Sequence, residues 1–190
     1  MFGFKAALGL GMMVVLASPA LGRADDRASK ITGLVEQGWG LIAQHKNQEA
    51  IPPLEQALAI TGDPAPPSPE TAYVMKALGT AYANTGKFEQ AETYGKRVVA
   101  IEAAVFGPDD IKDIEGVANL GITYAREQKF EEARPYFEKA LSIAQAKLPA
   151  DSPQLAYCLA MLGQFDLQTG KKAEGQALLA RANAISPVHP

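Results

Sequence analysis

The chain has 190 residues, 47% hydrophobic and 21% charged, with a formal net charge of −3. That composition suits a folded domain, and the acidic balance gives no basic footprint for nucleic acid. One cysteine, Cys158, excludes a disulfide within the chain.

At the N-terminus Lys5 precedes an uncharged stretch, Ala6 to Leu16, and then Ser18-Pro19-Ala20-Leu21-Gly22-Arg23-Ala24. A basic residue, a short apolar run and small residues are the layout of a secretory signal peptide. The run is short for a span of hydrocarbon, which takes roughly 20 apolar residues. Gly22-Arg23-Ala24 and Ser18-Pro19-Ala20 both fit the small-x-small cleavage site, and the bond after Ala24 is preferred, giving a leader of 1–24 and a mature domain of 25–190. The expected location is the periplasm or outside the cell, with no stable membrane insertion after cleavage. Loss of Lys5 and Arg23 leaves 18 − 2 = 16 basic residues against 21 acidic, a balance of −5.

Four units follow, at about 28–62, 69–106, 111–148 and 153–186. Leu78-Gly79-Thr80-Ala81-Tyr82 recurs 42 residues later as Leu120-Gly121-Ile122-Thr123-Tyr124, and Leu162-Gly163 continues the step. Gly86-Lys87-Phe88-Glu89-Gln90-Ala91 matches Gln128-Lys129-Phe130-Glu131-Glu132-Ala133. Unit one is shorter by one residue, with Gly38 as its marker. A fixed period of this size means stacked supersecondary units rather than one enclosed core.

Each unit reads as two antiparallel helices. In unit three the first is expected from about Ile111 to Glu127, on the spacing of Ile114, Val117, Leu120, Gly121 and Tyr124. The second is expected from about Phe130 to Lys147, with Pro135 near its start, as Pro52 is in unit one. Gly38, Gly79, Gly121 and Gly163 are equivalent, and so are Ala50, Ala91, Ala133 and Gly175. Small residues facing one another let paired helices approach closely. Between units, Ser68-Pro69 and Ser152-Pro153 read as a capping serine followed by a first-turn proline. Cys158 reads as a small buried hydrophobe in a helix.

The pattern Leu-Gly-x-x-Tyr, then Gly/Gln-Lys-Phe-Glu-x-Ala, then Phe-x-x-Ala-Leu resembles the tetratricopeptide repeat. The 42-residue step, with Phe106-Gly107-Pro108-Asp109 between units, is similar to the longer kinesin-light-chain type. The likeness covers roughly 28–186 and weakens in unit one, where Asn47 replaces Phe, and in unit four, where Asp166 replaces Tyr, Lys172 replaces Phe and Gly175 replaces Ala. Those departures read as features of a terminal repeat.

The resemblance implies an all-α, right-handed superhelix (an α-solenoid) of four helix-turn-helix repeats, about eight helices, whose first helices line a concave groove. The register places Trp39, Thr80, Ile122 and Gln164 on that face. One turn earlier come Val35, Lys76, Ala118 and Ala160, and before them Thr32, Tyr73, Glu115 and Tyr157. Asn84, Arg126 and Gln168 lie near the far end. Trp39, Tyr73 and Tyr157 are the expected anchors, although Trp39 also reads as packing against Tyr73. Asn119 is expected either to hydrogen-bond an extended peptide or to be an exposed helix residue. Lys76 and Asn119 occupy two positions of the carboxylate clamp found in some relatives, but Thr80, Tyr157 and Met161 replace its remaining members.

The two histidines, His45 and His189, have no carboxylate or cysteine constellation near them in sequence, and no metal-ligand spacing occurs. No enzyme activity, metal or cofactor is expected. The reading is a protein- or peptide-binding scaffold of the cell envelope. A second expectation is self-assembly through the last unit, whose final helix carries Leu178, Leu179 and Ile185.

Overall fold

A computed structural model describes residues 19–62 and 67–186, so the apolar run Ala6–Leu16 of the expected leader lies outside the described residues. The described residues form eight α-helices: α1 (Pro19–Ala43), α2 (Asn47–Thr61), α3 (Pro69–Asn84), α4 (Phe88–Phe106), α5 (Asp113–Arg126), α6 (Phe130–Lys147), α7 (Pro153–Gln168) and α8 (Lys172–Ile185). Each helix packs on its chain neighbours, and α1 also touches α3, and α3 touches α5. This is an α-solenoid of helical hairpins, as the period implies.

Every hairpin closes the same way. His45, Gly86, Gln128 and Gly170 are equivalent, and all take a left-handed backbone with φ of 60°, 76°, 63° and 88°. The following amides of Lys46, Lys87, Lys129 and Lys171 reach back to the carbonyls of Leu41, Tyr82, Tyr124 and Asp166 at 2.8–2.9 Å. The geometry is a Schellman closure, which satisfies the last carbonyls of each first helix.

Within hairpins the marker glycines all face their own second helix, but their surroundings differ. A Cβ on Gly163 would lie 3.0 Å from the Gly175 carbonyl oxygen, and one on Gly121 would lie 3.1 Å from Tyr136. One on Gly38 would press into the Leu54 side chain. At Gly79 the nearest atoms are 3.7 Å away, an ordinary contact. The reason lies four residues past the small residue of the second helix. Units one, three and four carry Leu54, Phe137 and Leu179 there, whereas unit two carries Gly95.

Between hairpins the joints are polar at one repeated place. The Tyr82 hydroxyl donates to Glu55 at 2.6 Å. Tyr124 hydrogen-bonds Glu92. At the third joint Asp166 accepts from Arg134 at 2.6 Å, and the guanidinium also lies over the Phe165 ring. Asp166 is buried. It is therefore a joint residue with its own partner, and the reading of it as a terminal-repeat departure is corrected.

The apolar core is divided. One cluster spans units one and two, from Ile31 to Ile101, and a second spans units three and four, from Ile114 to Ala182. At the seam, glycines bring α4 and α5 together. A Cβ on Gly95 would lie 2.9 Å from Leu120, and one on Gly116 would lie 2.9 Å from Val98.

Several local expectations need correction. Pro52 and Pro135 lie beyond the first turn of α2 and α6. The Ala133 amide already bonds Lys129 at 3.0 Å, so a residue two places on would have an internal partner, which proline forgoes. Ser68 caps α3, accepting from the Thr71 amide at 3.1 Å, but the Ser152 side chain makes no such bond to α7. Helix α5 starts at Asp113, after a turn in which the Asp113 amide bonds Asp110. Leu178 and Ile185 pack on the inner cluster, and Leu179 faces Gly163. The outward side of α8 instead carries Gln176, Ala180 and Asn183, all exposed. The apolar face invoked for self-assembly is thus turned inward. Cys158 is buried, as expected, and burial pushes its thiol up to about 11.

Candidate functional site

The first helices present one face in common, because α1, α3, α5 and α7 are set in register by the repeat. Tyr73 and Tyr157 are each 51% exposed. Glu115, which lies between them in the register, has 58% of its side chain exposed. Asn84, Arg126, Gln164 and Gln168 are exposed as well. Two residues of the expected surface are not there. Val35 and Ala118 are buried, since their turn of the helix faces inward to the stack.

Trp39 is intermediate. It packs on the first core cluster, and its ring lies 6.2 Å from that of Tyr73 at a tilt of 41°. Its indole N–H is buried without a partner. The aromatic pair joins α1 to α3, so packing is part of its role whatever else it does.

A cleft of about 100 Å³ opens at the seam between units two and three. Gly79, Gly95 and Gly116 form part of its wall, and Lys76, Thr80, Asn84, Asn119, Ile122 and Arg126 also line it. The absent side chain at Gly95 accounts for the space. A shallower hollow of about 360 Å³ follows between α5 and α7, shared by Ile122, Arg126, Tyr157 and Gln164. Six of the ten expected residues thus meet at one cleft and four at the next, with Ile122 and Arg126 common to both. Trp39 lines neither, and Tyr73 borders a third hollow with Lys76 and Glu115.

Charge on this face is arranged in pairs. The Lys76 ammonium lies 3.2 Å from Glu102 and 3.1 Å from Glu115. Burial opposes the ammonium, but the two carboxylates outweigh it and hold its pKa above the ordinary value. Lys76 is therefore already neutralised and is not a free receptor for an anionic chain end. Glu102 is 2% exposed, and burial pushes its carboxyl up against the pull of Lys76. At the other end of the face, Asn84 donates to Asn47 at 2.9 Å and accepts from Arg126 at 2.5 Å. This is a ladder across three units.

Sequence reading missed Glu102, Gly95 and Gly116. Gly95 was visible as the glycine opposite Leu54, Phe137 and Leu179. Glu102 stands where units one and three have Thr61 and Ala144, a charge in an otherwise small-residue column. Among the described residues no group of three or more His, Cys, Asp or Glu is placed to hold a metal, and no helix is long and apolar enough to cross a membrane.

Two family models, each described as tetratricopeptide repeat, match residues 71–111 and 113–186. No curated protein matches the chain. Among solved structures, it is similar to a Podosopora anserina kinesin light chain protein with nearly identical TPR-like repeats. That match has a TM-score of 0.67 and 24% identity over 82% of this chain and 74% of the other. BtubC (BKLC) from P. vanneervenii aligns with a TM-score of 0.66 and 19% identity over 90% and 75%. Pseudomonas aeruginosa pilF aligns with a TM-score of 0.65 and 19% identity over 87% and 65%. At these identities the likeness is one of fold.

Proposed function

Because the chain belongs to the tetratricopeptide-repeat family, whose members bind proteins or peptides, we propose that it is a non-catalytic scaffold of the cell envelope that holds an extended protein segment along its concave face. The observation that carries this reading is the pair of adjoining clefts on the first helices, which share Ile122 and Arg126. Shape and a few anchors supply the affinity; no bond is made or broken. Tyr73 and Tyr157 offer ring surface, while Asn119, Thr80 and Gln164 offer donors and acceptors to a main chain. Export is supported by the N-terminal layout of Lys5 and Ala6–Leu16.

A photo-crosslinking residue at Gln164, in the groove, and another at Gln145, exposed on α6, test the binding face in intact cells. Adducts are expected from position 164 alone. Equal adducts from both positions, or none from 164, would remove the groove from consideration. Intact mass of protein from the periplasmic fraction tests export: a chain beginning at Asp25 is expected, and one that retains residues 1–24 would count against cleavage.

A further inference from the structure

Two turns before Thr80, Ile122 and Gln164 lies a row with its own chemistry. Tyr73, Glu115 and Tyr157 sit at the same place on α3, α5 and α7, 42 residues apart. They are the half-exposed aromatic, acid and aromatic described above. Among the described residues these two tyrosines are the aromatic side chains that stand out as exposed. Beside them lies a hollow of about 490 Å³, bordered by Tyr73, Phe106, Ile111, Glu115 and Gln154.

Two carboxylates, Glu102 and Glu115, and two ammonium groups, Lys76 and Lys112, border the hollow. One ammonium, Lys76, serves two carboxylates, Glu102 and Glu115. The second oxygen of Glu102 is buried against Gly116 and has no hydrogen-bond partner. The hollow's other cation, Lys112, lies 4.1 Å from the Phe106 ring centre, so one aromatic wall already seats an ammonium. No carboxylate pairs with Lys112 among the described residues.

We propose that the row Tyr73–Glu115–Tyr157 is a subsite for a basic side chain, arginine above all, of the segment bound in the groove. The inference rests on the groove reading given above. A guanidinium is planar, stacks on a tyrosine face and meets a carboxylate through two parallel hydrogen bonds. Glu115 supplies the carboxylate and the flanking rings supply the faces. An acidic side chain at this place would meet Glu115 in repulsion.

The test uses two probes on the full chain, acetyl-Gly-Gly-Arg-Gly-Gly-amide and the same peptide with uncharged citrulline, followed by NMR. The arginine peptide is expected to shift the signals of Tyr73, Glu115 and Tyr157, with affinity about tenfold above that of the citrulline peptide. Glu115→Gln should bring the two probes level, while Lys76 keeps its contact with Glu102 and the fold is unchanged by circular dichroism. Equal response to both probes, response confined to other residues, or no response overturns the subsite. Crosslinking from Gln164, outside the row, judges the groove separately. Adducts there without an arginine response sink the subsite alone, and loss of both sinks both.

Discussion

Arg134 of α6 holds Asp166 of α7 at 2.6 Å, in the place where the two preceding joints put a tyrosine hydroxyl against a glutamate. The pair is a matched replacement: the tyrosine became an acid, and the acid at Glu92 became a base at the equivalent Arg134. Removing the base alone strands a buried carboxylate. Arg134→Ala is expected to cost roughly 3 kcal/mol in urea unfolding. Arg134→Glu with Asp166→Tyr, which copies the middle joint, should recover most of that loss. Strict additivity of the two single changes would show that the pair is not coupled.

The marker glycines should respond differently to one methyl group. Gly79→Ala has room, with its nearest neighbours at 3.7 Å, and gains helix propensity of about 1 kcal/mol. Gly163→Ala must push against a backbone carbonyl at 3.0 Å and should lose roughly 1–3 kcal/mol. Thermal melts of the two variants check the contrast; similar shifts would mean that the four hairpins pack alike.

Gln128 takes φ of 63° where two other hairpins use glycine. Left-handed backbone is unfavourable for a side-chain-bearing residue. Gln128→Gly should raise stability by roughly 0.5–1 kcal/mol, the strain relieved less the added freedom of the unfolded chain. Gly170→Gln, at φ of 88°, should lower it. A melting temperature unchanged by both would contradict the strain argument.

Asp113 is buried, with one carboxylate oxygen unpartnered, and burial pushes its pKa above the ordinary 3.8. A raised folded pKa means that the native state holds its proton more tightly than the unfolded chain. Its contribution is fully present below the unfolded value and is lost as pH rises through the folded one. Asp113→Asn should therefore gain on the native protein as pH climbs from about 4 toward neutrality. Paired melts across that range read the difference, and a gap that is constant with pH would rule the ionisation out.

Cys158 should be unreactive. Its thiol is buried, with the pKa pushed up to about 11, and the thiolate is the reactive form. A thiol reagent at pH 8 is expected to label it slowly in the folded protein and fully in denaturant. Rapid labelling of the native state would place α7 differently.

How far the sequence could be read follows from range. The period, the hairpins and the glycine column are repeated locally, so one chain carries its own alignment. Register alone puts Lys76, Asn84 and Arg126 on one face, and they line one cleft, yet their state was not legible. Lys76 is neutralised by Glu102, which comes from a second helix 26 positions on, and only packing brings them to 3.2 Å. Asp166 was misread because a departure from a pattern carries no address for its partner. Arg134, 32 positions earlier, had to be seen beside it. The inward turn of Leu178 and Leu179 was likewise hidden, because apolar spacing in a final helix does not say which side is covered.

Trp39 is the chain's one tryptophan, and its ring lies 6.2 Å from that of Tyr73. The molecule thus carries an optical gauge at the mouth of its proposed recognition surface. Excitation energy absorbed by the tyrosine passes readily over so short a gap, and the indole's emission colour answers to whatever displaces water nearby. Occupancy by an unlabelled guest can be followed by light alone, without adding a dye to a surface whose contacts are the question.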